Sequence, residues 1–212
     1  MAQPIAIRPS DVLLAVDLQN DFMPGGALAV SDGDAIVPLV NRLAARFGNV
    51  VITQDWHAPG HASFASSHPG AKAYDTIKLS YGAQTLWPDH CVQGGAGAAL
   101  HPGVAIPHAF LILRKGVHVA VDSYSAFAEA DGSTTGLAAL LRARGLSRVF
   151  LSGLATDFCV AFSAVDAASA GFETFVVEDA CRAIDVGGSL AAAQARMAAA
   201  GVRRVVAADI TP

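Results

Sequence analysis

The chain has 212 residues, a formal net charge of −4, 53% hydrophobic residues and only 15% charged ones. That balance excludes a disordered chain, and without basic runs it argues against nucleic acid or an anionic membrane as partner; no apolar run of about 18 residues exists to span a bilayer. The length suits a single α/β domain over residues 1–212, large enough to bury about 70% of the unfolded chain's surface without a disulfide or metal staple.

Residues 1–10 read as a loose lead-in. Val12-Leu-Leu-Ala-Val16 is a continuous apolar run of strand length, the pattern of a strand buried on both faces, and it closes on the carboxylate of Asp17. Pro24-Gly-Gly26 makes a loop, Ser31 offers a helix N-cap, and a helix is predicted over 35–47 with Pro38 in its first turn. Gly48 ends it before a second strand, Val50–Thr53. From Gln54 to about Pro107 periodicity is lost and Gly, Pro, Ser and His are dense. A segment of that length inside a compact domain is usually a functional loop, and Trp56, Phe64, Tyr81 and Trp87 give this one apolar surface to bury.

A third strand, Phe110–Leu113, runs into Arg114-Lys115-Gly116. After a second loop (117–135) come a short helix at 137–144, a fourth strand at Val149–Leu151 and a helix over 157–170. Strand Thr174–Val177, helix 189–200 and strand Arg204–Val206 complete the chain. Alternating strands and helices predict a three-layer α/β sandwich: a central six-stranded, mainly parallel sheet with helices on both faces.

In such sheets ligands bind beyond the carboxyl ends of the strands. Asp17, Lys115 and the turn carrying Cys159 all fall there, so carboxylate, ammonium and thiol are expected in one cleft. Cys159 lies in the first turn of a helix, where free N–H groups and the helix dipole push a thiol toward thiolate. Asp17 can take the thiol proton and return it to a leaving amine, Lys115 can hold the thiolate, and the N–H groups between Ala155 and Cys159 can form an oxyanion hole. At the end of the second strand, Asp55 and His57 share a face of extended chain. A third metal ligand should come from the loop, which offers His61, His68, His90 and His101; Trp87-Pro-Asp-His-Cys91 favours His90. An Asp-His-His set with open positions suits one divalent transition ion, Zn first, with Mn or Fe as alternatives. Cys91 and Cys181 read as buried, neutral thiols, and three cysteines that cannot all pair suit a reducing cytoplasm.

Seven stretches carry a resemblance: Asp17-Leu-Gln-Asn-Asp-Phe22, Gly25-Gly-Ala-Leu-Ala-Val30, Asp55-Trp-His57, Trp87-Pro-Asp-His-Cys-Val92, Lys115-Gly116, Asp122-Ser-Tyr-Ser-Ala-Phe127 and Gly153-Leu-Ala-Thr-Asp-Phe-Cys-Val160. Together they resemble the nicotinamidase/pyrazinamidase branch of the isochorismatase-like cysteine hydrolases, in the family's order and over roughly residues 11–206. The resemblance implies hydrolysis of nicotinamide to nicotinate and ammonia, with pyrazinamide as an analogue substrate and a role in NAD salvage. It assigns Asp17, Lys115 and Cys159 as the catalytic triad, and Asp55, His57 and His90 as ligands of a metal that binds the ring nitrogen. It places a cis peptide before Ala155, whose N–H joins that of Cys159 in the oxyanion hole, and puts Phe22, Leu28, Trp87 and Tyr124 around the ring. Some relatives have a further metal-contacting His or Glu just before the residue matching Phe64; this chain has Ser63, so contact through a water is expected instead. Association into a homo-oligomer is left open. The alternative is another amidase of the same scaffold acting on a different small amide, but such relatives generally lack the Asp55, His57 and His90 set. A purely metal-binding protein would not need an intact triad.

Overall fold

The computed structural model describes residues 4–212; the first three residues of the expected lead-in lie outside that range. In chain order the elements are β1 (Ile5–Ala6), β2 (Asp11–Val16), α1 (Val37–Ala44), β3 (Val50–Asp55), β4 (Thr76–Leu79), β5 (Gly82–Thr85), β6 (Leu111–Lys115), α2 (Leu137–Ala143), β7 (Arg148–Leu154), α3 (Ala161–Ser169), β8 (Glu173–Arg182), α4 (Ser189–Ala199), β9 (Arg203–Val205) and β10 (Ile210–Thr211). Six strands form one sheet in the order β6-β3-β2-β7-β8-β9, and every neighbouring pair is parallel.

The strand order explains the layers. The chain first steps from β2 outward to β3 and β6, then returns to the other side of β2 and steps through β7, β8 and β9. Parallel crossovers are right-handed, so reversing the direction of travel moves the connection to the opposite face. Accordingly α1 packs on the face formed by Leu13, Ala15, Val50, Ile52, Phe150 and Phe175. Residues of α2, α3 and α4 pack on the other, with Val12, Leu14, Val16, Val51, Val149 and Leu151. Every position of β2, β3 and β7 is buried, which is why these strands read as unbroken apolar runs rather than alternating ones. The crossover from β3 to β6 has no helix; the long loop takes the place of one, with Ala98 and Ile106 in the same core as α1.

Several details differ from the sequence reading. Ser31 caps nothing: a 3-10 turn, Asp34–Ile36, leads into α1, and neither start has a side-chain cap. The long loop contains an antiparallel hairpin, β4–β5, and the lead-in contributes β1, paired with β10. Strand β8 runs ten residues, because four residues of β8 between Val176 and Cys181 face one of β7 between Leu151 and Gly153. The helix expected at 157–170 begins as a wide π turn, Thr156–Val160, before α3. At the amino end of the sheet, remote from the strand ends that matter here, Arg148 makes a two-pronged ion pair with Asp11 at 2.6 and 2.7 Å.

Candidate active site and metal centre

Four adjacent strands deliver four groups to one place. Across the sheet from β6 to β7, the carboxyl ends carry Lys115, Asp55, Asp17 and the Cys159 turn. Lys115 pairs in register with Asp55, and Val16 with Gly153. Gly153 has φ +122°, and a Cβ there would lie 2.0 Å from the Val16 carbonyl oxygen, so only glycine lets β7 lie against β2 at this point.

The Lys115 ammonium is wholly buried and sits at the centre. It lies 2.8 Å from Asp17 Oδ2, is hydrogen-bonded to Asp55 Oδ1, and is 3.3 Å from Cys159 Sγ. Burial alone would drive its proton off, but Asp17, Asp55 and Cys159 outweigh it and hold the ammonium well above the usual lysine range. Asp17, at φ 50°, receives a hydrogen bond from the Thr53 hydroxyl at 2.5 Å on Oδ1. Its Oδ2 is engaged by the ion pair with Lys115 and by no other donor. Burial pushes the Asp17 carboxyl up, against the pull of Lys115 and with the help of Asp55. Carboxylate and thiol lie within 4.8 Å of each other, which puts a buried carboxyl group within reach of the Cys159 thiol.

The resting state of Cys159 corrects the expectation of a thiolate. Burial raises its pKa well above the ordinary thiol value; Lys115 opposes this, and Asp55 and Asp17 add to it. Desolvation and the two carboxylates thus work against the ammonium and against the push toward thiolate expected at a helix start. The Leu154–Ala155 peptide is cis, as the resemblance implied.

Beside this cluster, Asp55 Oδ2 lies 3.7 Å from His57 Nε2 and 3.9 Å from His90 Nε2. Each imidazole is oriented from behind by a backbone carbonyl: His57 Nδ1 lies 3.1 Å from Gly116 O, and His90 Nδ1 2.8 Å from Pro88 O. Donation from Nδ1 leaves both Nε2 lone pairs facing the carboxylate, the arrangement of preorganised metal ligands. Burial and the neighbouring His57 push His90 down to about 4, which favours the neutral, ligating ring. Burial works to raise the Asp55 carboxyl, but Lys115 and the two histidines hold it well below the carboxylate range. These residues fit one divalent ion. Gly116, at φ +63°, makes the His57 contact feasible, because a Cβ there would stand 2.6 Å from the imidazole. Among the loop histidines left open, His90 joins the set; the His61 ring centre lies 4.4 Å from that of His57, tilted by 42°, with Nδ1 2.8 Å from the Ser63 hydroxyl.

A small, partly enclosed cavity opens onto both clusters. Phe22, Leu28, Trp87 and Tyr124 all line it, and so do Asp122, Phe158 and Ile184, which the sequence reading did not assign. Asp122 heads the Asp-Ser-Tyr-Ser-Ala-Phe stretch and Phe158 precedes the nucleophile, so both stood in quoted motifs; Ile184 carried no signal. Two positioning residues were also missed. Gln19 accepts the Asp55 N–H at 2.8 Å and donates to the Asp55 and Ala98 carbonyls at 2.8 and 2.9 Å. Asp21 accepts the Cys91 N–H at 2.6 Å, next to His90. Cys91 and Cys181 are buried free thiols, as expected.

Residues 11–209 match the Isochorismatase domain family. The chain is 54% identical over 199 residues to a nicotinamidase of Acinetobacter baylyi, covering 93% of both chains. Its fold is similar to that of a nicotinamidase/pyrazinamidase of Acinetobacter baumanii, with TM-score 0.94, 52% identity, and coverage of 95% of this chain and 98% of that one. A pyrazinamidase of Pyrococcus horikoshii, solved in complex with zinc, superposes with TM-score 0.76 at 35% identity over 93% of this chain and 99% of its own.

Proposed function

The chain belongs to the isochorismatase family and, within it, to the nicotinamidases, and on that premise we propose that it hydrolyses nicotinamide through a thioester on Cys159, aided by one divalent metal ion. Pyrazinamide, which differs by one ring nitrogen, is the expected second substrate. The observation that carries the mechanism is the buried Lys115 ammonium in contact with Asp17, Asp55 and Cys159 at once.

Asp17 takes the Cys159 proton as Sγ attacks the amide carbon. Lys115 stabilises the charge on sulfur while Asp17 is neutralised. The carbonyl oxygen becomes an oxyanion, received by the N–H groups of Ala155 and Cys159. Asp17 passes its proton to the amide nitrogen, the C–N bond breaks, and ammonia leaves a thioester. Water, deprotonated by Asp17, attacks the thioester; nicotinate departs and the thiol recovers its proton. Phe22, Leu28, Trp87 and Tyr124 enclose the ring and keep water from its faces.

Asp55, His57 and His90 would hold the ion, with Ser63 contacting it through a water; Zn is favoured, with Mn and Fe as alternatives. When bound, the ion supplies a Lewis-acid anchor for the ring nitrogen. The relative solved with zinc supports the choice. The reaction belongs to NAD salvage, and three unpaired thiols suit a cytoplasmic setting. Among the described residues no helix is long and apolar enough to cross a membrane.

The test is ammonia release from nicotinamide by wild type and by Cys159→Ala, with bound metal quantified in both. Wild-type turnover, its loss on complete chelation and return on adding metal, and an inactive but metal-loaded Cys159→Ala are expected. Turnover by Cys159→Ala within tenfold of wild type would overturn the mechanism.

A further inference from the structure

The β4–β5 hairpin exposes or half-exposes every residue but one: Gln84, 2% exposed. A two-stranded hairpin has too little to bury to be stable alone, so the single side chain it inserts into the protein is informative. The Gln84 amide group donates to the Thr85 carbonyl at 2.6 Å and to Asp122 Oδ2 at 2.7 Å, with the Tyr124 hydroxyl at 3.3 Å from the same nitrogen. Its Oε1 accepts the Tyr81 hydroxyl at 3.0 Å. Both amide protons and the carbonyl are therefore engaged.

These bonds join two sides of the cavity. Asp122, 2% exposed, presents a carboxylate oxygen within 4.8 Å of ligand atoms on His57 and His61. On the other side, the Tyr124 oxygen also accepts the Trp87 indole N–H at 2.9 Å, and Trp87 and Tyr124 meet edge to face. Take the Gln84 amide away and Asp122 Oδ2 loses its donor in a buried place. The Tyr124 hydroxyl shares that Gln84 nitrogen, so its own placement, and with it the Trp87 contact, loses the same anchor. A buried acceptor left without a donor is costly enough to force a rearrangement.

We propose that Gln84 is a positioning residue for substrate affinity: it fixes Asp122 and the Tyr124–Trp87 wall in the arrangement that receives the aromatic ring, without reaching the atoms that react. The inference rests on reading this cavity as the ring pocket. It separates two jobs within one site, because Cys159, Lys115 and Asp17 are held by strand ends, not by the hairpin.

The experiment compares steady-state nicotinamide hydrolysis by wild type, Gln84→Met, Gln84→Glu and Tyr81→Phe, all metal-loaded. Methionine keeps the reach and removes every hydrogen bond; glutamate keeps the shape but sets a second carboxylate against Asp122. Gln84→Met should raise KM about tenfold and leave kcat within about threefold, the size expected for one buried hydrogen-bond hub. Gln84→Glu should raise KM further, and Tyr81→Phe, which removes only the outer link, about twofold. A merely structural Gln84 would lower the amount of folded enzyme and leave KM alone. Unchanged KM in Gln84→Met, or a loss confined to kcat, overturns the proposal while wild-type turnover keeps the functional reading intact; absent wild-type turnover overturns both. Should Gln84→Met fail to fold, Tyr81→Phe decides: KM raised at constant kcat supports the proposal, and an unchanged KM overturns it.

Discussion

Asp17, Asp55, Lys115 and Cys159 reach the site from the ends of four hydrogen-bonded parallel strands, whereas Trp87, His90 and Tyr124 reach it from irregular chain. The first group inherits its spacing from the sheet ladder, so Asp55 and Lys115 meet because they are register partners. The second group has no ladder. It is held by side chains that reach across to backbone: Gln19 to Ala98, Asp21 to the Cys91 N–H, Gln93 to the Trp56 carbonyl. The groups proposed to move protons are thus fixed by the sheet ladder, and those proposed to recognise the ring are on a segment that can vary without disturbing the sheet.

The largest effect that tests this contrast is expected from Asp17→Asn. The amide keeps the shape and loses the base, so kcat should fall about 1,000-fold, within the range for one general acid–base group, while bound metal stays near the wild-type level. Ammonia release and metal content measure the two. If Trp87→Leu lowered kcat as far as Asp17→Asn does, rather than raising KM, the division between strand-borne chemistry and loop-borne recognition would break.

Two glycines sharpen it further, one in each region. Gly153→Ala places a methyl 2.0 Å from the Val16 carbonyl at a positive φ, and should cost about 3 kcal/mol or more of global stability, read from the denaturant midpoint. Gly116→Ala meets the imidazole of His57 at 2.6 Å, a side chain that can turn aside. It should cost only the about 1–2 kcal/mol of a left-handed non-glycine residue and weaken metal affinity by about 10- to 100-fold, as disturbed outer contacts of metal ligands do. Equal stability losses in the two variants would show that both regions are equally rigid.

The same contrast decides what could be read before folding. All six sheet strands were legible: burial on both faces leaves runs such as Val12–Val16 with no polar position, and the edge strands β6 and β9, though partly exposed, keep short apolar stretches between turn signals. The cluster followed from them, since strand ends in a parallel sheet must converge. β1 and β10, two residues each, carry no periodicity to detect. The β4–β5 hairpin was hidden because a mostly exposed hairpin has no apolar face. The metal set was legible only in part from spacing: Asp55 and His57 share a strand face, but four loop histidines competed, and which one met them depended on the Pro88 and Gly116 carbonyls. The charge state of Cys159 could not be read from a helix start, because burial and the two carboxylates that set it are long-range. Gln19 and Asp21 stood inside the Asp17–Phe22 stretch, yet their roles are bonds to Asp55 and Cys91, which lie 36 and 70 residues away.

Asp21 allows the finest test, because it ties the turn bearing Phe22 to the turn bearing His90. Its Oδ2 accepts the Cys91 N–H at 2.6 Å, where Cys91 has φ 46°, and its Oδ1 lies 3.3 Å from the Ala27 N–H. A residue other than glycine in the left-handed region needs its surroundings to hold it there, and the carboxylate is what holds this one. Asp21→Asn can still offer one oxygen to Cys91 and should change metal affinity by no more than about threefold. Asp21→Ala removes the acceptor, frees the Cys91 N–H, and should weaken metal binding by about tenfold, with Cys159 alkylation by a thiol reagent unchanged in rate. Titration of metal-free protein with zinc, alongside the alkylation rate, separates the two. If Asp21→Ala altered Cys159 reactivity as much as metal affinity, the loop and the strand ends would be mechanically one unit, and the hairpin, the metal turn and the nucleophile would have to be treated together.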